Sequence, residues 1–286
     1  MNSIISHDEK SLVTLDKIEQ LEGHFLDMPQ VDCPVVHHFA PGIYIREVTI
    51  PADTFSIGHY QKCEHLNVML TGRVTMIGED GRPHEVTAPA IFTSKPGRKI
   101  GYIHETMRWL NIYPTAETDV EKLEETYLHK SQTWEEHQAA SESLLLVSMH
   151  VDQSDYQEAL KDLGVTEELV RAQSENEADQ IPFPLGSYKC KVSPSRIEGK
   201  GLFATGNLEA GEVIAPARID GKRTPAGRYT NHGKVPNARM VMSDRGDIYL
   251  VALRPIAGCA GGNDGEEITI DYRQAVEETL KSLERK

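Results

Sequence analysis

The apolar positions of this chain change their spacing twice. Between residues 35 and 115 short runs rich in β-branched and aromatic residues recur: "GIYIREVTI", "EHLNVML", "GRVTMI", "HEVTAPAIFTS" and "MRWLNIYPT". Turns such as "GEDGRP" and "KPGRK" separate them, and a further turn is expected between "EHLNVML" and "GRVTMI". Runs of this kind between Gly and Pro turns predict a small β-barrel or sandwich. After Pro114 the spacing becomes helical: Val120, Leu123 and Tyr127 recur in "TAETDVEKLEETYLHKS", behind Thr and Glu cap candidates. "SDYQEALKDLGVTEELVRAQSENEAD" predicts two short helices. Gly164 stops the first, and the second begins after Thr166 with Glu167 and Glu168 at its positive end.

At 181–187 "IPFPLGS" reads as a linker, because each proline biases its neighbour toward extended chain. Residues 188–273 return to short strands and Gly-rich turns, and "QAVEETLKSLERK" closes as a helix. The expected fold is mainly β with a helical connector. Its parts are a segment 1–34, a barrel 35–115, an acidic helical connector 116–180, the linker, and a compact β unit with its terminal helix at 188–286.

Composition narrows the class. The 286 residues are enough for two modest cores, and 39% hydrophobic with 26% charged residues fits a soluble globular chain. No apolar run approaches the roughly 20 residues of a membrane span, and the start lacks a basic segment followed by an apolar one. Cys33, Cys63, Cys190 and Cys259 form no CxxC pair, which favours free thiols in a reducing cytoplasm, that of a bacterium or a phage host. Residues 1–186 carry 14 Lys and Arg against 31 Asp and Glu, whereas residues 187–286 carry 16 against 13. An acidic first part argues against nucleic acid as a partner, and the acid itself reads as a solvated face.

Three strings in the last hundred residues carry chemistry. "SRIEGKGLFAT" at 195–205 is a Gly-x-Gly turn entering an apolar strand, "RYTNHGKVPNA" covers 228–238, and "GEEITIDYR" covers 265–273. A polar turn needs the Gly, Asn and Pro of the second string, but not Arg228, Tyr229 and His232 around them. In this order the strings resemble the SET-domain protein lysine methyltransferases, as does "IYLVALRPIAGC" between the last two. The resemblance implies S-adenosylmethionine as cofactor, bound at Gly199, Lys200, Gly201, Leu202, Arg228, Tyr229, Asn231, His232 and Tyr272, with Tyr272 catalytic. It also implies a lysine of another protein as substrate. A Gly-x-Gly turn lets backbone amides approach a ligand without a β-carbon clash, and the Asn231 side-chain oxygen can accept from an ammonium.

The sequence also departs from that pattern. Gly233 stands where Ser or Cys usually follows His, only 30 positions separate Gly201 from Asn231, and no cysteine cluster follows Tyr272. The helix from Gln274, the first domain or another subunit would then have to wall the lysine channel.

"GHYQKCEHLNVMLTGRV" at 58–74, with Gly72 at its turn, and "SKPGRKIGYIH", with Pro96, Gly97 and His104, resemble the two motifs of the cupin superfamily. Strand alternation would put His59, Gln61, Cys63 and His65 on one face. The resemblance implies a barrel in which His59, His65 and His104 hold Zn, Fe, Ni or Mn, with Cys63 as a further ligand or an inert thiol. It also implies a homo-oligomer built on the barrel. Two other functions stay open beside the methyltransferase: a binding or assembly protein whose SET-like fold has lost turnover, and a metal-dependent cupin enzyme or sensor.

Overall fold

The computed structural model describes residues 18–77, 82–145 and 152–284. The amino-terminal stretch read for a leader, and part of the turn expected at "GEDGRP", lie outside the described residues.

The protein is mainly β. A helix α1 over 18–26 leads into strands β1 (Val35–Ala40), β2 (Ile43–Ile50), β3 (Thr54–Ile57), β4 (Tyr60–Gln61), β5 (His65–Ile77), β6 (Pro83–Thr87), β7 (Ala90–Ser94) and β8 (Ile100–Pro114). The long strands β5 and β8 are the frame. They pair antiparallel with each other, β2 and β3 add to β8, and β6 and β7 add to β5. Alternation on β8 turns Ile103, Met107, Trp109, Asn111 and Tyr113 inward.

The turn expected at Gly72 is a bulge instead, and β5 runs through it. The register shifts between Met69 and Val74, and Gly72 there has φ +96°. A β-carbon on it would lie 2.7 Å from both Glu105 O and Met107 Cα, so only glycine lets the two long strands stay in contact.

The connector holds α2 (Val120–Tyr127), the short strand β9 (Leu128–His129), α3 (Gln132–Leu145), α4 (Asp152–Leu163) and α5 (Glu167–Glu175). The Asp119 side chain caps α2, Thr166 caps α5, and Gly164 at φ +64° ends α4.

The remainder comprises β10 (Gly186–Tyr188), β11 (Cys190–Pro194), β12 (Lys200–Ala204), β13 (Val213–Ile219), β14 (Lys222–Arg223), the single turn α6 (Pro225–Arg228), β15 (Asn231–His232), β16 (Ala238–Met242), β17 (Ile248–Ala252), β18 (Glu267–Ile270) and α7 (Tyr272–Glu284). It forms two four-stranded sheets, ordered β11-β12-β18-β15 and β14-β13-β17-β16.

Residues 181–187 are not a free linker. Phe183 is buried against Tyr188, and β10 pairs with β1 as an edge strand of the barrel sheet. The prolines do keep the segment extended, but its aromatic drives it into the protein. One apolar core therefore runs from Phe39, Tyr44 and Tyr113 of the barrel through Val120 and Leu123 of α2 to Leu202, Ile268 and Ile270. A second, smaller core inside the barrel sheet comprises Ile50, Met69, Val74, Ile103, Met107 and Trp109.

The charge asymmetry has a structural use as well. Acidic groups of the connector meet basic groups of the last hundred residues: Glu124 with Lys191 at 3.3 Å, Asp179 with Arg223 at 2.7 Å, Asp162 with Arg273 at 2.7 Å, and Glu121 with Lys200. Part of the acid expected to face solvent is thus an inter-element contact.

Candidate functional site

The parallel pairing of β15 with β18, Asn231 opposite Thr269 and His232 opposite Ile270, joins two of the three strings read from the sequence. Leu202 of the third string pairs with Ile268 on the other side of β18. The Gly-x-Gly turn, the Asn-His loop and the approach to Tyr272 therefore meet around one short strand.

Asn231 knits this meeting point. Its amide nitrogen lies 2.8 Å from Glu267 Oε1, 3.0 Å from Ser195 Oγ, 3.2 Å from Lys200 O and 3.3 Å from Glu198 O, so its two hydrogens are shared among four acceptors inside the turn. None of these bonds uses the amide oxygen. Ser195 Oγ also donates to Glu267 and receives Ile197 N–H at 2.9 Å. Burial raises the Glu267 carboxyl above its ordinary range, against the opposing pull of the Asn231 and Ser195 hydrogen bonds.

Backbone geometry fits a close-approaching ligand at one glycine of the turn. Gly199 has φ +51° with open space where its β-carbon would project. At Gly201 a β-carbon would come 2.3 Å from Glu267 Oε1, and at Gly233 one would come 2.7 Å from Thr269 Oγ1. The missing side chain after His232 is thus explained by Thr269, which takes the space.

His232 and Tyr272 form the other half. Tyr272 is the first residue of α7 rather than a strand residue, because β18 ends at Ile270. Its backbone N–H donates to His232 Nδ1 at 3.2 Å, which leaves the proton on Nε2, and Nε2 donates to Asp155 of α4 at 2.9 Å. That bond holds the Asp155 carboxyl below its ordinary range. Tyr156, next along α4, packs edge-on against Tyr272 at 6.0 Å and lies 6.2 Å from His232, making a three-ring cluster with the 5.3 Å His232–Tyr272 contact. Burial first, then Tyr156, Glu198 and Glu267, hold the Tyr272 phenol far above its usual range. The wall beside Tyr272 thus includes the connector helix α4, a role that sequence reasoning did not assign to it.

Of the residues expected around a cofactor, Gly199, Gly201, Asn231, His232 and Tyr272 are gathered here. The others point elsewhere. The Leu202 side chain is fully buried in the core, the Lys200 ammonium pairs with Glu121, and Arg228 stacks over the Tyr229 ring at 4.9 Å while donating to Gln180.

The three imidazoles expected to share a metal do not meet. His104 follows the inward Ile103, so its side chain leaves by the outer face, where Nε2 bonds Thr75 Oγ1 at 2.8 Å. His65 Nδ1 takes a bond with Cys63 O at 3.0 Å, and its ring packs on Tyr113. His59 faces Trp134 edge-on at 5.1 Å. The alternation assumed for His59 to His65 fails because the chain leaves strand between Gln61, where β4 ends, and His65, where β5 begins. Among the described residues no three His, Cys, Asp or Glu side chains are grouped to hold a metal. Cys63 is one of four free cysteines, with its thiol pushed up by burial.

The barrel has a cavity of about 250 Å³, which the sequence did not disclose. Its wall mixes Ile50, Val74, Ile103, Met107 and Trp109 with Arg46, His59, Lys99 and Trp134, under a cover from α1.

No family model matches the chain, and no curated protein matches it. Solved structures similar to about a third of it include cupin proteins. An RmlC-like cupin with a double-stranded β-helix fold from Methanocaldococcus jannaschii shares 16% identity over 31% of this chain and 84% of its own, with a TM-score of 0.25. A cupin-2 domain protein from Shewanella frigidimarina shares 12% over 33% and 91%, with a TM-score of 0.25. Ectoine synthase from P. lautus shares 12% over 36% and 85%, with a TM-score of 0.27. At these TM-scores the likeness carries no argument for an activity. Among the described residues no helix is long and apolar enough to cross a membrane.

Proposed function

We propose that the carboxy-terminal unit is an S-adenosylmethionine-dependent protein-lysine N-methyltransferase, with the barrel as its self-association or target-binding part. The observation that carries this reading is the parallel pairing of Asn231–His232 with Thr269–Ile270, which brings the Gly-x-Gly turn and Tyr272 to one place. When bound, the cofactor supplies an electrophilic methyl group on a sulfonium. Gly199 gives it backbone access, and the Asn231 amide, its nitrogen tied into the turn, offers its oxygen to the cofactor's ammonium.

A lysine amine is mostly protonated at neutral pH, with a reference pKa of about 10.4, and must shed that proton before it can attack. An apolar channel favours the neutral amine. The Tyr272 phenol, held above its ordinary range, stays protonated and serves to orient the amine rather than to deprotonate it. Tyr156, packed edge-on against Tyr272, would wall a lysine channel from the α4 side in place of the cysteine cluster that is missing after Tyr272.

Thermal unfolding with and without S-adenosylmethionine tests the cofactor half of this reading. Ligand at about 100 times its dissociation constant stabilises the native state by about 2.7 kcal/mol, and Asn231→Ala should abolish that shift. No shift in the wild type refutes cofactor binding. Tyr272→Phe should keep the shift and lose labelling of a peptide array; labelling as fast as wild type removes Tyr272 from the mechanism.

A second reading takes the barrel as the working part, a cupin-like enzyme or sensor with the other unit as accessory. What favours it is the cavity of about 250 Å³, lined by apolar side chains with a few polar ones among them. Among the described residues its metal-dependent form finds no donor set, because the three imidazoles diverge.

A further inference from the structure

We infer that the barrel cavity is a metal-free binding site for a small organic anion, a carboxylate on an apolar body. This rests on the second reading, that the barrel is a binding unit, and adds the chemistry of what it binds. Three buried polar atoms on the cavity wall have no hydrogen-bond partner: Arg46 Nε, His59 Nδ1 and Trp134 Nε1. Roughly nine in ten buried polar groups in native proteins are paired, so three orphans around one space mark a missing partner. The first and third can only donate, and a neutral imidazole can donate as well. His59 is neutral here, pushed down to about 3 by burial. Three donors call for acceptor oxygens, and a carboxylate has two, with about four lone-pair positions.

Charge selects an anion over a neutral acceptor. Arg46 carries a guanidinium into the cavity wall, and Lys99 adds an ammonium 3.2 Å from Asn67 Oδ1 and 5.5 Å from the Trp109 ring centre. The one carboxylate on the described wall, Glu22, is already bound by Arg98 and by Ser131 Oγ at 2.5 Å. Behind the wall Glu124 is bonded by Lys130 and Lys191 and Asp264 by Lys191, while Asp32, beside the wall residue Cys33, is exposed to solvent. Water would fill the donors' valences but bring no negative charge to the guanidinium, whose Nε is buried and whose carboxylate neighbour Glu124 is already bonded to Lys130 and Lys191. The rest of the wall, with Val74, Met76, Ile103, Met107 and Trp109, suits an apolar body and disfavours a bare inorganic ion.

The test uses the full chain and fluorine NMR with 4-fluorobenzoate, its neutral analogue 4-fluorobenzamide, and inorganic phosphate as competitor. The expected result is exchange-broadened 4-fluorobenzoate, the amide at least about tenfold weaker, no displacement by phosphate, and a tenfold or greater loss in Arg46→Gln. Equal binding of acid and amide overturns the anion while leaving the barrel a binding unit. Displacement by phosphate overturns the organic part, and binding of neither fluorinated probe overturns the inference outright. Should Arg46→Gln fail to fold, the acid-against-amide comparison in wild type still decides.

Discussion

Single residues in the carboxy-terminal unit act through the space they leave. Gly201 faces the Glu267 carboxylate so closely that a methyl group would have to push it off Ser195 and Asn231. A displaced, buried carboxylate without those donors costs about 1–3 kcal/mol. Gly201→Ala should therefore lower the urea-unfolding free energy by about that amount and weaken any S-adenosylmethionine shift with it. An unchanged midpoint would mean that Glu267 rotates away freely and that the Asn231–Ser195–Glu267 set is not a structural unit. Of this set only Asn231 was singled out from the sequence; Ser195 and Glu267 stand at the edges of the same strings, and nothing local shows that they converge on it. The bond of Arg228 to Gln180, 48 positions earlier, could not be read from the same strings.

Among the elements, α4 was visible as a helix but not as part of a site. Its Gly164 stop and the Thr166 start of α5 are local chemistry, whereas its docking on His232 and Arg273 joins residues more than 70 positions apart. The two docking carboxylates differ in depth. Asp155 takes the Nε2 proton of a nearly buried His232, while Asp162 pairs with Arg273 in a setting where its side chain is 54% exposed. Removing Asp155 leaves a buried donor unpaired, about 1–3 kcal/mol, and removing Asp162 loses only a surface pair that solvent screens. Hydrogen exchange across 155–163 should thus rise sharply in Asp155→Ala and little in Asp162→Ala; equal responses would show that the tyrosine packing, not the His232 bond, seats the helix. The metal triad failed at this scale too. Period-two reasoning applies only within a strand, and β4 is too short to carry His59 and His65 in phase.

At the scale of the whole molecule the barrel and the carboxy-terminal unit share a core and the strand β10, so unfolding should be one transition by tryptophan fluorescence and by circular dichroism. Two imidazoles inside the protein then set its acid response. Burial pushes His37 and His59 down to about 3, from an ordinary 6.5. Between those values the unfolded chain binds protons that the folded chain refuses, so stability falls as pH drops below about 6.5. Burial also lowers His65, which acts in the same direction. Glu124 contributes only further down: Lys191 and Lys130 hold its folded pKa below the ordinary 4.5, so its stabilisation is complete above that pH and drains away beneath it. Lys99, pushed down to about 8, alters stability only above that value. From pH 6.5, where the unfolded imidazole is half protonated, to pH 5, His37 and His59 should each remove roughly 1.6 kcal/mol. Urea unfolding at the two pH values measures the loss, and His59→Gln should cut its share of it. A slope unaffected by that substitution would mean that His59 is protonated in the folded protein, and the barrel cavity would then hold a third cation instead of a neutral donor.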